Sequence, residues 1–415
     1  MSVRLWGILC IWLSVPGLAF SQPAAVPENF RDLYSSLEQN VDAFGRTVSS
    51  QSAGQKSAVA WSAELLTANC NRGRALLAPG THQLIRQELD SLQALGVKAV
   101  TICIGFPVLY QPFYAFNQDT EDYPRFLKFY GDLTAEIHGR GLKLIVESAI
   151  LFLGSYSRES GFKLAEYYAT LQPRQLMEGR AQNILAIAKE VRPDFLNLGS
   201  EPDTDAAISK QTAFKSPSGY AESVGYFVKQ LRQAGVTSIP IGAGIGTWQP
   251  QGETYVRALL ATGIDYLDLH VYAVNRTAYQ DYLQNAITYA DMAHAAGKQV
   301  AMSEAWLLKN RNSELGRLNT TNDPGTYARD RYSFWMPLDQ KLLGALINYS
   351  NWKKLMYFSP FWTRYFWSYV DYDSSSDGLP AIQAMRQGAR AAMQAMQQRK
   401  VTSTAEFYKN AIAGR

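Results

Sequence analysis

Two short segments of this chain end an apolar run on a glutamate. They are Asn197-Leu198-Gly199-Ser200-Glu201-Pro202 and Val300-Ala301-Met302-Ser303-Glu304-Ala305-Trp306. A carboxyl at the end of a strand, locked before Pro202 in the first case, is suited to proton transfer or to attack on an electrophilic carbon. Taken alone, Glu201 could equally cap the following turn or pair with a surface cation. Taken together, Glu201 and Glu304 have the makings of the pair that retaining glycoside hydrolysis needs about 5 to 5.5 Å apart, one as nucleophile and one as acid and then base.

A third segment supports such a site. Asp268, His270 and Tyr272 alternate with Leu267, Leu269 and Val271, so a strand here presents its polar set to one face and its apolar set to the other. Buried polar groups need partners. The three are therefore expected to form a network in which His270 and Tyr272 hold the Glu304 carboxylate; a satisfied structural histidine is the plainer reading.

The elements that must position these residues repeat in a fixed order. Apolar runs at 57–66, 97–107, 142–151, 193–199, 239–246, 264–272, 299–306 and 354–361 alternate with helical patterns at 82–95, 123–139, 174–190, 219–234, 252–261, 278–296, 334–349 and 379–398. Gly96, Gly141, Gly235, Gly263 and Gly297 stop helices just before strands. Eight strand-helix units in series predict a closed (β/α)8 barrel, with a doubly wound open sheet as the alternative. Long connections at 106–123 and 307–332 follow strands two and seven, at the end where barrel enzymes build their sites.

Residues 1–21 read as a secretory signal, with one early cation, an apolar core and small residues before Gln22. Residues 22–56 read as a polar N-terminal arm with a short helix, 57–400 as the barrel, and 401–415 as a tail without strong pattern. The expected location is secreted or periplasmic, without stable membrane insertion once the signal is removed. Export permits a disulfide between Cys70 and Cys103, although a core of this size does not need one. With 40 Lys+Arg against 36 Asp+Glu, the net charge of +4 is too small and too mixed for a nucleic-acid surface. His82, His138, His270 and His294 have no ligand spacing, so no metal is expected. Gly242 to Gly246 lacks the dinucleotide-loop spacing and reads as a small-residue strand, so no organic cofactor is expected either.

Glu201 in a Ser-Glu-Pro setting at the fourth strand, Glu304 in a Ser-Glu-Ala-Trp setting at the seventh, and His270-Val271-Tyr272 at the sixth resemble the large clan of retaining (β/α)8 glycoside hydrolases that includes cellulases, mannanases and galactanases. The resemblance runs from about residue 57 to 398. It implies a carbohydrate substrate, Glu201 as acid/base, Glu304 as nucleophile, Tyr272 as the nucleophile's hydrogen-bond partner, and Trp362 as the platform under the reacting sugar. One position departs from the pattern: the clan usually has Asn before its acid/base, contacting the substrate 2-hydroxyl, and here Ser200 stands there. Trp248, Trp306 and Trp362 belong to an aromatic rim on which the CH faces of sugars can stack. Glu64 and Glu147, ending strands one and three, are candidates for hydroxyl binding. The resulting expectation is an exported enzyme that cleaves β-linked polysaccharide or oligosaccharide by double displacement; the rival is a carbohydrate-binding barrel that has lost turnover.

Overall fold

The computed structural model describes residues 25–52, 54–152, 160–273, 282–311, 314, 325, 328–375 and 379–414. The segment read as a signal, 1–21, lies outside the described residues. Eight strands run in parallel: β1 Ala60–Glu64, β2 Ala99–Cys103, β3 Lys143–Glu147, β4 Phe195–Asn197, β5 Ile241–Gly246, β6 Tyr266–Ala273, β7 Gln299–Leu307 and β8 Tyr357–Pro360. They pair in sequence order, and β8 returns to β1 to close the barrel. Each lies within, or one residue beyond, one of the eight apolar runs. The closed barrel, not the open sheet, is the architecture.

Strand alternation divides the core into two layers. Ala99, Ile145, Phe195, Tyr266, Ala301 and Tyr357 fill the lumen as one packed cluster beneath the mouth. A much larger apolar cluster lies between the strands and the surrounding helices. Gly242, Gly244 and Gly246 on β5 are small because a Cβ at these points would collide with the Tyr266 ring, the Asp268 carbonyl and the Trp248 ring respectively. The close approach of β5 to β6 thus depends on Gly242 and Gly244 lacking side chains.

Two terminal helices complete the molecule. Arg31–Ser52 is longer than the short helix expected in the polar arm. It buries Leu33, Leu37, Val41, Phe44 and Val48, a stripe of every third or fourth residue, against the helix Met336–Trp352. Ser403–Ile412 forms a helix where the sequence showed no strong pattern; Thr402 caps it, and its Tyr408 donates to the Ser62 carbonyl at 2.8 Å. Cys70 and Cys103 are joined by a disulfide, with 5.4 Å between their Cα atoms, tying the connection after β1 to the end of β2. Among the described residues, no helix is long and apolar enough to cross a membrane.

Candidate active site

The barrel mouth collects carboxylates around one imidazole. His270 Nδ1 lies 2.9 Å from Glu201 Oε1 and 3.3 Å from Glu304 Oε2. Those two legs hold Glu201 Oε1 and Glu304 Oε2 no more than about 6.2 Å apart. His270 Nε2 faces Glu147 Oε2 at 3.2 Å and the Ser303 hydroxyl at 3.1 Å. The Tyr272 hydroxyl donates to Glu304 Oε2 at 2.7 Å, and Thr204 donates to Glu201 Oε2 at 2.7 Å.

Local backbone irregularities bring these groups together. Between Asp268↔Ala301 and His270↔Glu304, Leu269 of β6 faces both Met302 and Ser303 of β7, and β7 shows a matching shift against β8. A regular strand would send Ser303 and Glu304 to opposite faces; the extra residue lets both reach His270. On the other side, β4 stops at Asn197, two residues earlier than expected, and alternation does not carry Glu201 into the mouth. Gly199 turns the chain with φ of 135°, a value that side chains oppose, and Glu201 opens the helix Pro202–Ser209.

Arg180 supports that turn from behind. Its guanidinium pairs with Asp205 at 2.8 Å and donates to the Leu198 and Ser148 carbonyls at 3.1 and 3.3 Å. Asp205 also accepts from the Ile150 N–H at 3.1 Å, and its own N–H donates to the Glu201 carbonyl at 2.9 Å. The ends of β3 and β4 are thereby tied to the residue bearing the carboxyl.

The network expected around His270 is present, and its members are shifted in different directions. Burial alone would lower the imidazole pKa, yet Glu304, Glu147 and Glu201 around it hold the ring well above its ordinary value. Burial pushes Glu304 well up, against the pull of His270. Burial also acts to raise Glu201, but the hydrogen bond and charge of His270 outweigh it and bring the group below the usual carboxylate range. The two carboxyls are thus driven apart, Glu304 toward the weaker acid and Glu201 toward the stronger.

The remaining sequence candidates occupy different depths. Trp248 and Trp362 flank Tyr272, with ring centroids 5.5 and 6.5 Å from it. Trp248 donates its indole N–H to Asp203 at 3.0 Å, and burial, then the nearby Glu201, pushes Asp203 up to about 6. Trp362 has φ of 63°, and its N–H is held by Glu64 Oε2 at 3.2 Å; Glu64 Oε1 accepts from Asn69 at 3.1 Å. Glu64 thus reaches the site through the backbone of Trp362. Trp306 is 1% exposed and stacked on Tyr365, below the rim. Ser200, 2% exposed, donates to Asp268 Oδ2 at 2.7 Å, so its hydroxyl faces down the barrel and away from the mouth. Sequence reasoning missed Ser303, Thr204, Asp203 and Arg180; only the Ser-Glu dipeptide repeated at both strand ends hinted at the first.

Glu147, His270 and Glu304 bring one potential ligand atom each within 4.8 Å of one another. The ring nevertheless turns a different nitrogen to each carboxylate, and a single cation could take only one of them. The trio is built as a hydrogen-bonded cluster.

No protein-family model matches the chain, nor does any curated protein. Among solved structures, it is similar to an exo-β-1,4-mannosidase from Opitutaceae bacterium strain TAV5, at TM-score 0.53 and 15% identity over 87% of this chain and 60% of that one. A family 1 β-glucosidase from Thermotoga maritima follows at 0.49, with 11% identity over 87% of this chain and 99% of that one. A Cellulomonas fimi endo-β-1,4-mannanase double mutant gives 0.43, with 14% identity over 86% of this chain and 74% of that one. What the chain shares with the mannosidase, on which alone the comparison rests, is the (β/α)8 barrel fold.

Proposed function

We propose that the protein is an exported retaining glycoside hydrolase acting on β-linked polysaccharide or oligosaccharide. The observation that carries this reading is the pair of carboxylates, one in the turn after β4 and one on β7, that share His270 Nδ1 at 2.9 and 3.3 Å. The likeness of fold to a mannosidase is consistent with it. A leader-like 1–21 and the Cys70–Cys103 disulfide support an oxidising compartment, secreted or periplasmic.

Turnover needs the proton on Glu201 and an ionised Glu304 beside the Tyr272 hydroxyl, and His270 Nδ1, 2.9 Å from Glu201 and 3.3 Å from Glu304, is placed to carry a proton between them. Glu304 attacks the anomeric carbon while Glu201 gives its proton to the departing oxygen. Glu201 next takes a proton from water, the hydroxide oxygen bonds to the anomeric carbon, and Glu304 leaves. Trp248 and Trp362 offer stacking faces for the sugar, and Glu147 offers a hydroxyl contact.

The experiment compares wild type with Glu304→Gln on mannan, galactan, xylan and mixed glucans. The expected result is hydrolysis of at least one of them by wild type and a loss of 10³-fold or more in the variant. Equal inertness of both proteins, with both binding glycans, would replace the enzyme by the carbohydrate-binding barrel.

A further inference from the structure

Ser200 and Ser303 immediately precede Glu201 and Glu304, the first just past β4 and the second on β7, strands that are not neighbours. β5 and β6 stand between β4 and β7. The two hydroxyls nevertheless meet at one atom: Asp268 Oδ2 accepts from Ser200 Oγ at 2.7 Å and from Ser303 Oγ at 2.5 Å. Asn197 donates to the same oxygen at 2.7 Å, and its Nδ2 also reaches Ser200 Oγ at 2.9 Å. The second oxygen, Oδ1, accepts the Ser303 N–H at 3.1 Å and the Tyr357 hydroxyl at 3.3 Å. Asp268 is 0% exposed on β6, so one carboxylate gathers donors from β4, β7 and β8 inside the lumen.

This arrangement does two things. A carboxylate surrounded by donors is an acceptor for all of them, so its position fixes theirs. Neither serine has a flexible linker to its glutamate: one peptide unit separates each pair, and a displaced Ser200 or Ser303 displaces Glu201 or Glu304 with it. In addition, a hydroxyl committed to Asp268 at 2% exposure is not available to a substrate.

We propose that Asp268 is the positioning residue that sets the Glu201–Glu304 separation, by clamping the residue before each glutamate to a single buried carboxylate; its kinetic consequence rests on the glycosidase reading. Ser200 then serves the clamp in place of a substrate contact. A short hydroxyl side chain suits that task, because a longer amide would have to enter the space already held by Asn197 and Asp268.

The test is a set of variants, Asp268→Ala, Asp268→Asn, Ser200→Ala, Ser303→Ala and the combinations Asp268→Ala/Ser200→Ala and Asp268→Ala/Ser303→Ala, each studied by crystallography and by steady-state kinetics on the best β-glycan. Asp268→Ala is expected to change the Glu201–Glu304 separation and to lower kcat at least 30-fold with KM within threefold. Each serine change should lower kcat in the wild-type background and add less than twofold once Asp268 is gone, because all act through one clamp. Asp268→Asn, which keeps one acceptor oxygen, should recover part of the loss. If Asp268→Ala does not fold, the Ser200→Ala/Ser303→Ala double variant, with smaller cavities, carries the same measurements. An unchanged carboxyl separation, or serine and Asp268 effects that multiply independently, would overturn the clamp. If wild type hydrolyses no glycan, the glycosidase reading fails, while the crystallographic separation still decides the role of Asp268.

Discussion

Replacing Arg180 by Met gives the sharpest energetic test of how the site is held. The side chain is buried between the rings of Phe214 and Phe227, with its guanidinium carbon 5.6 and 5.2 Å from their centroids. Met conserves much of the volume and the apolar contacts but removes the charge. Asp205 is then left buried with, among the described residues, the Ile150 N–H at 3.1 Å to satisfy it, and the Leu198 and Ser148 carbonyls lose their shared donor. Burial already raises the Asp205 pKa against the pull of Arg180, so without that cation the carboxylate becomes costlier still. Removing one member of a buried pair costs about 3 to 5 kcal/mol, and the two lost carbonyl contacts place this case in the upper half, at about 4 to 5 kcal/mol. Urea unfolding followed by tryptophan fluorescence measures the loss as the shift in midpoint multiplied by the slope. The double variant Arg180→Met/Asp205→Asn, which removes both charges, should lose at least about 2 kcal/mol less than the sum of the two single changes. Activity should fall as well, although neither residue touches the mouth, because the Asp205 N–H holds the Glu201 carbonyl at 2.9 Å. A loss below about 1 kcal/mol for Arg180→Met, or strict additivity in the cycle, would refute the reasoning.

Other consequences follow from the same contacts. Tyr272→Phe deletes the 2.7 Å donor to Glu304; a hydrogen bond to a charged group is worth about 1.5 to 3 kcal/mol, so kcat/KM on the best substrate should fall roughly 10- to 100-fold. Glu88 accepts from the Leu66 and Thr67 N–H groups and the Thr67 hydroxyl, yet burial pushes its pKa up to about 7. With the folded pKa above the unfolded value near 4.5, its contribution is fully present below that value and is lost as the pH rises to about 7. Denaturation midpoints measured from pH 4.5 to 8 should therefore decline less steeply in Glu88→Gln than in wild type. The Cys70–Cys103 bridge closes a sequence separation of 33 residues. By chain entropy its removal in Cys70→Ser/Cys103→Ser costs about 3 to 4 kcal/mol, read by the same urea titration; an unchanged midpoint would contradict this.

The barrel was legible because its signal is periodic and repeated eight times, with glycines marking where helices turn back into strands. The two glutamates were legible for a related reason, since each ends an apolar run. What the sequence concealed was orientation at single positions. The apolar run read as the fourth strand extends to Gly199, whereas β4 ends at Asn197 and the turn at that glycine sends Ser200 down to Asp268 and Glu201 up to His270. In β7, the bulge that lets Ser303 and Glu304 share a face has no residue pattern of its own. Trp306, a rim candidate by its place at a strand end, is covered by Tyr365, a partner 59 residues away that no local pattern announces. The helix Ser403–Ile412 escaped notice because the residues it buries, Thr404, Ala405 and Tyr408, are small or polar-tipped and make no apolar stripe.

The central claim is that Glu304 and Glu201 act as the nucleophile and the acid/base of a double displacement. Two inversions at one carbon restore its configuration, so the anomer of the first-formed product reports directly on the mechanism. Proton NMR of early hydrolysis of a β-linked oligosaccharide, recorded before mutarotation, is predicted to show the β-hemiacetal first; initial release of the α-anomer would contradict the account.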